Sequence, residues 1–166
     1  MARTSYAIAL GSNRRHGRHG PPAATLRAAI AALAQRSVAI VSVSQIRLTT
    51  AVGPAGRSFA NGAMLVSADL EPPELLHELK DVERSFGRRG GRRWGPRVLD
   101  LDIILWSEGP YEAAGLVIPH PQMRERAFVL EPLAELVPTW RDPVTGLTVR
   151  QLRARLAAPA PLAQSG

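Results

Sequence analysis

The chain has 166 residues, 45% of them apolar and 21% charged, with 14 prolines, no cysteine and a net charge of +7. That length and balance fit one packed domain better than two and argue against wholesale disorder, collagen or a coiled coil. The missing cysteine removes disulfides, thiolate metal sites, iron–sulfur clusters and cysteine nucleophiles together, and no stretch reaches the roughly 18 apolar residues of a membrane span.

Ser5–Leu10 is a short apolar run that stops at Gly11-Ser12-Asn13, the pattern of a strand ended by turn residues. Arg14–Pro22 reads as an exposed loop. Over Ala23–Gln35, Leu26, Ile30 and Leu33 recur at helical spacing, and Pro22 suits the first turn. Val38–Ile46 alternates as a strand, Arg47–Ser58 reads as a loop, and Phe59–Leu70 as a second strand. Pro72–Phe86 is the clearest helix, with Leu75, Leu79, Val82 and Phe86 on one stripe. Gly87–Pro96 is a glycine- and arginine-rich loop, Leu99–Trp106 a strand, and Tyr111–Ile118 a further short strand. A helix is expected over Arg124–Leu136, ended or kinked at Pro132. Asp142–Gly146 is a turn, Thr148 caps a last helix over Val149–Leu156, and Ala157–Gly166 is a tail.

The order β-α-β-β-α-β predicts an α+β fold: a mostly antiparallel sheet with helices packed on one face and helical additions at the C-terminal end. Residues 1–156 are expected to form one domain and 157–166 a flexible tail. Met1–Leu10 lacks a secretory core and cleavage site, so a soluble cytoplasmic protein is expected.

Of the 21 basic residues only Lys80 is lysine, and six arginines fall between Arg84 and Arg97. A focused positive field attracts phosphates, on a nucleotide or on nucleic acid. Directly downstream stands Asp100-Leu101-Asp102. Alternate residues of a strand share a face, so the two carboxylates point the same way. They repel unless a proton or cation lies between them, and oxygen donors suit Mg²⁺. A D-x-D pair alone is common on exposed strands. Here Val98, Leu99, Ile103, Ile104 and Leu105 predict a buried central strand, where unpaired acids are expensive. Carboxylates beside a loop of guanidinium groups form a phosphoryl-transfer constellation. The competing reading is a non-catalytic, basic nucleic-acid-binding α+β domain. Aromatics make up only 5% of the chain and do not interleave with the arginines, so a stacking platform is poorly supplied.

No P-loop motif is present, and Gly11-Ser12-Asn13 alone reads as a plain turn. His120, between Pro119 and Pro121, has a structural hydrogen-bonding role and a catalytic one equally open to it. Lys80 and Glu83 stand three apart on one helix, the spacing of a surface ion pair.

Four blocks carry a resemblance. Ala7–Asn13 (AIALGSN), Thr49–Asn61 (TTAVGPAGRSFAN), Arg93–Leu105 (RWGPRVLDLDIIL) and Pro119–Phe128 (PHPQMRERAF) resemble, in this order, the motifs of the 6-hydroxymethyl-7,8-dihydropterin pyrophosphokinases. These folate-pathway enzymes move a diphosphate from ATP to a pterin alcohol. The resemblance implies a ferredoxin-like α+β core. It implies two Mg²⁺ ions on Asp100 and Asp102. Catalytic roles fall to these acids with Arg88, Arg92 and Arg97. ATP contacts fall to Lys80, Glu83, Arg88, Arg92, Arg93, Arg97, Ile103, His120 and Arg126. The pterin pocket is implied at Thr49, Thr50, Val52, Phe59, Asn61, Trp94, Asp100 and Phe128, with Trp94 and Phe128 on opposite faces of the ring. The expected partners are small molecules, ATP and the pterin, with no nucleic acid and no membrane, and the expected state is a monomer.

The sequence departs from the family pattern in places. Thr50-Ala51 stand where prolines are common, Phe59 where tyrosine is common, and Lys80 where glutamine is frequent. Gly115 and Val117 replace polar side chains that some members direct at the nucleotide. None of these changes touches the acid pair.

Overall fold

The computed structural model describes residues 3–13, 21–50, 58–87 and 98–158. Its centre is β1 (Thr4–Ser12), which pairs antiparallel with β4 (Ser58–Ala68) on one side and with β5 (Asp100–Trp106) on the other. β2 (Ala39–Val43) and β3 (Arg47–Thr50) lie end to end along the far edge of β4, giving the order β2-β4-β1-β5 with β3 also on β4, so that β5, expected to be central, stands at an edge of the sheet among the described residues and owes its burial to the helices on its faces. Ser44 bridges the break between β2 and β3. Its N–H donates to the Ala63 carbonyl at 2.9 Å, and its hydroxyl accepts from the Ala63 N–H at 2.9 Å.

β1 sits in the middle because both its faces can be buried. Tyr6, Ile8 and Leu10 point one way, Ala7, Ala9 and Gly11 the other. The first set packs with Met64, Val66, Leu101 and Ile103 against α1 (Pro22–Ala34) and α2 (Pro72–Gly87). The stripe Leu75, Leu79, Val82 and Phe86 is buried there as its spacing requires. Each such side chain contributes roughly 1.5–3 kcal/mol on full burial.

The opposite face is also covered, which corrects the expectation of helices on one face only. Ala7, Ala63, Ile104 and Leu105 pack against Val129, Leu130 and Leu133 of α3 (Ala127–Leu136) and Val149 and Leu152 of α4 (Val149–Ala157). A register shift opposite Ala7/Ile8 places both Ile104 and Leu105 on this face. The ferredoxin-like order of elements is present, and the two C-terminal helices form a third layer.

Three further expectations change. Arg47–Thr50, within the stretch read as loop, is strand β3 in register with Ser58–Asn61; residues 51–57 lie outside the described residues. Its only large apolar side chain, Leu48, faces solvent, so no buried alternation marks it. Tyr111–Ile118 is a hairpin, β6 (Tyr111–Ala113) and β7 (Leu116–Ile118), turning at Gly115 with φ +79°. Finally, the segment over Arg124–Leu136 splits into a 3₁₀ turn (Met123–Glu125) and α3. Pro132 neither starts nor ends α3. It forgoes one bond, to the Phe128 carbonyl, while burial of Leu130, Leu133 and Ala134 around it carries the helix to Leu136. The expected Thr148 cap is present as a reciprocal box: its hydroxyl accepts from the Gln151 N–H, and the Gln151 side chain accepts from the Thr148 N–H.

Candidate active site

On β5, Leu101 and Ile103 turn into the α1/α2 core, so Asp100 and Asp102 face the α3 side. Across the ladder, Asp100 stands opposite Gly11 and Asp102 opposite Ala9. On the other side of β1, Gly11 stands opposite Asn61 and Ala9 opposite Ala63. Asn61, Gly11 and Asp100 therefore form one row across three strands. The small residues Ala9 and Gly11 leave a trough between an amide on one bank and two carboxylates on the other. A Cβ on Gly11 would come within 3.4 Å of Asn61 Oδ1.

The first turn of α3 supplies the facing wall. Arg126, Phe128 and Val129 join Ala9, Gly11, Asn13, Phe59, Asn61, Asp100 and Asp102 in lining a pocket of about 360 Å³. The Arg126 guanidinium lies 5.5 Å from the centroid of the Phe128 ring and donates to Gln122 Oε1. Phe128 remains 50% exposed, a large apolar ring at the mouth.

His120 follows the cis Ile118–Pro119 peptide, and its N–H donates to the Ile104 carbonyl at 3.0 Å, docking it on β5. Its Nδ1 accepts from the Gln122 N–H at 3.2 Å, which leaves the ring hydrogen on Nε2. Burial pushes the imidazole below its ordinary pKa; the Asp102 carboxylate pulls it up, and Arg126 pushes it further down. Burial and the Nδ1 acceptor role both favour the neutral ring.

Six residues expected at the site from sequence meet in this pocket: Phe59, Asn61, Asp100, Asp102, Arg126 and Phe128. Others are placed elsewhere. Thr49 lies on β3, exposed and opposite Phe59, and Thr50 pairs through its backbone with Ser58. Ile103 is 3% exposed in the α1/α2 core and does not line the pocket. On α2, Lys80 Nζ pairs with Glu83 Oε1 at 3.0 Å, and Glu83 Oε2 accepts from the Leu101 N–H at 2.7 Å. Glu83 therefore pins the strand that carries the acids, a link between distant segments that spacing alone does not reveal. Val52, Arg88, Arg92, Arg93, Trp94 and Arg97 lie outside the described residues.

Sequence reasoning assigned no role to the floor. Ala7, Ala9 and Gly11 on one face of a central strand were its signal, since a face without large side chains is covered by something else.

Among the described residues no group of three or more His, Cys, Asp or Glu side chains is placed to hold a metal. A pair of carboxylates facing the pocket fits a hard cation that draws its other ligands from water and phosphate, as Mg²⁺ does.

Residues 7–138 match the family described as 7,8-dihydro-6-hydroxymethylpterin-pyrophosphokinase (HPPK). The chain is 44% identical over 137 residues to the 2-amino-4-hydroxy-6-hydroxymethyldihydropteridine pyrophosphokinase of Synechocystis, covering 82% of this chain and 70% of that one. It is 43% identical to the Bacillus subtilis protein of that name (78% and 75% covered) and 37% identical to that of Methylorubrum extorquens (92% and 94% covered). Among solved structures, the crystal structure of wild-type Plasmodium falciparum HPPK-DHPS with pteroate superposes with a TM-score of 0.65 at 11% identity, over 92% of this chain and 42% of that one. The chain thus spans less than half of that longer protein, and the likeness concerns the fold. By sequence match over most of its length, the chain belongs to the 7,8-dihydro-6-hydroxymethylpterin-pyrophosphokinase family.

Proposed function

We propose that this protein transfers diphosphate from ATP to 6-hydroxymethyl-7,8-dihydropterin in folate synthesis. The observation that carries the reading is the row Asn61–Gly11–Asp100, which sets a ring-reading amide and the acid pair on the two banks of one trough. The Asn61 amide both donates and accepts, matching the mixed edge of a pterin. Phe128 covers one face of the ring, and Trp94 takes the other. Phe59, Thr49, Thr50 and Val52 complete that end.

The hydroxymethyl oxygen attacks the β-phosphorus, the bond from that phosphorus to the α,β-bridging oxygen breaks, and its electron pair leaves with AMP. The hydroxyl proton passes to solvent, with Asp100 orienting the hydroxyl. Asp100 and Asp102 would hold two Mg²⁺ ions, which would supply charge neutralisation to the phosphates. Arg126, the Nε2–H of His120 and the loop arginines Arg88, Arg92, Arg93 and Arg97 hold phosphate oxygens. Lys80 and Glu83 are assigned to the adenosine end, with Glu83 acting by fixing β5, and Ile103, buried in the α1/α2 core, acts only through its backbone and the strand it holds. Most of the rate then comes from positioning and charge complementarity. The working unit is a cytoplasmic monomer, with 1–156 as one domain and 157–166 as a tail.

Family membership favours this reading over the basic nucleic-acid-binding domain. Incubation with ATP, Mg²⁺ and the pterin tests it: AMP is expected, and only with pterin present. Formation of ADP, or of AMP without the pterin, contradicts it.

A further inference from the structure

We infer that the fork between half-buried Arg124 and buried Asp142, neither of which lines the pocket, is a positioning element that decides which arginine of Arg124-Glu125-Arg126 serves the site. The inference rests on the phosphate-binding role proposed for Arg126.

Asp142 is 0% exposed. Its carboxylate accepts from Arg124 Nε at 2.5 Å and Nη2 at 2.8 Å, a two-point fork that fixes the plane of the guanidinium. It also accepts from the Val144 N–H at 2.9 Å and the Thr145 hydroxyl at 2.7 Å. The loop holding it is closed on itself: the Asp142 N–H donates to the Leu147 carbonyl and the Gly146 N–H to the Asp142 carbonyl, both at 2.8 Å. The carboxylate is thus held by its own loop as well as by Arg124, and it engages Nε and Nη2 of the guanidinium.

The other end of the fork lies in the segment that builds the facing wall. The His120 N–H is docked on β5, the Met123 N–H donates to the His120 carbonyl at 3.1 Å, and Met123 is fully buried. Arg124 follows, turned toward Asp142. Two residues later, Arg126 lines the pocket and starts α3, its carbonyl accepting from the Val129 and Leu130 N–H groups at 3.0 Å. A rigid fork at 124 fixes the rotation of this short turn, and so the direction in which Arg126 leaves it. Without the fork, two guanidinium groups compete for one anionic ligand, and the turn relaxes about its Met123 anchor.

A double-mutant cycle separates positioning from mere support, with binding of α,β-methylene-ATP and Mg²⁺ as one readout and the melting temperature as the other. Asp142→Asn keeps the shape and removes the charge. It should lower the melting temperature and, at a temperature where circular dichroism shows it folded, weaken analogue binding by about five- to ten-fold. In an Arg126→Ala background the same change should weaken binding by less than about two-fold while lowering the melting temperature by the same amount. If Asp142→Asn does not fold, Arg124→Lys, which keeps the charge and loses the fork, carries the same cycle. Equal fold-losses in both backgrounds, or a lowered melting temperature with unchanged affinity, overturn the positioning role. Failure of the wild-type protein to bind the analogue would instead count against the proposed function.

Discussion

Asn61 and Asp100 come from strands that do not pair with each other, yet both stand opposite Gly11 of β1. The distance between the Asn61 amide and the first carboxylate is therefore set by the one strand that lies between them. Backbone ladders are stiffer than loops, so the two groups are held in place before any ligand arrives.

Filling the gap between them should block the ring. Gly11→Ala adds a Cβ at the edge of contact with Asn61 Oδ1 and should fold with a melting temperature near wild type. Gly11→Leu fills the trough and should weaken pterin binding by at least about ten-fold, a loss of 1.4 kcal/mol or more. Titration calorimetry of both variants checks this; equal pterin affinity in Gly11→Leu would place the ring elsewhere.

Phe128→Ala should weaken pterin binding by roughly ten-fold through lost stacking and burial. The contact between Arg126 and the Phe128 ring adds a second consequence. Exposed cation–π pairs contribute about 0.5–1 kcal/mol, so affinity for an ATP analogue should fall by no more than about five-fold. Successive titrations with the analogue and then the pterin read the two effects apart.

Glu83→Ala leaves the Leu101 N–H without its acceptor at the start of β5. An unsatisfied amide there should cost on the order of 1–3 kcal/mol in urea unfolding, with the ion pair to Lys80 adding little. Turnover should fall along with stability, because Asp100 and Asp102 ride on this strand. Loss of analogue affinity at unchanged stability would mean instead that Glu83 contacts the nucleotide itself.

Asp142 gives the fold an acid sensitivity. Burial pushes its carboxyl up, but the hydrogen bonds from Arg124, Thr145 and Val144 outweigh that and bring it down to about 2. A carboxyl depressed on folding contributes stability above its unfolded pKa and loses it as pH falls toward the folded value. Relative to the ordinary value of 3.8, the contribution is on the order of 2 kcal/mol, present above about pH 4 and lost toward pH 2. The stability gap between wild type and Asp142→Asn should shrink across that interval in acid titrations followed by circular dichroism. A gap that stays constant would mean that the charge of Asp142 is not what holds the loop.

The elements that build the site were legible where burial follows a simple period. The stripe Leu75–Leu79–Val82–Phe86 marked α2, and alternation around Leu101 put Asp100 and Asp102 on one face. β3 was hidden because Leu48 points to solvent and its pairing is dictated by the length of β4. The covering of the Asp face by α3 and α4 was hidden because element order does not say which face a helix takes. The Glu83–Leu101 and Arg124–Asp142 bonds join segments eighteen residues apart, which no local pattern records. Asn61 and Phe128 were assigned by resemblance, and the structure places both in the lining of the pocket that Asp100 and Asp102 share.

The most direct test of the central claim is turnover by folded Asp102→Ala against wild type, with ATP labelled in turn at the β- and γ-phosphorus. Wild type should carry both labels into the pterin and leave unlabelled AMP, while Asp102→Ala, intact by circular dichroism, should lose most of that turnover at ordinary Mg²⁺. Transfer of the γ-label alone, or near-normal turnover by the variant, would contradict the account.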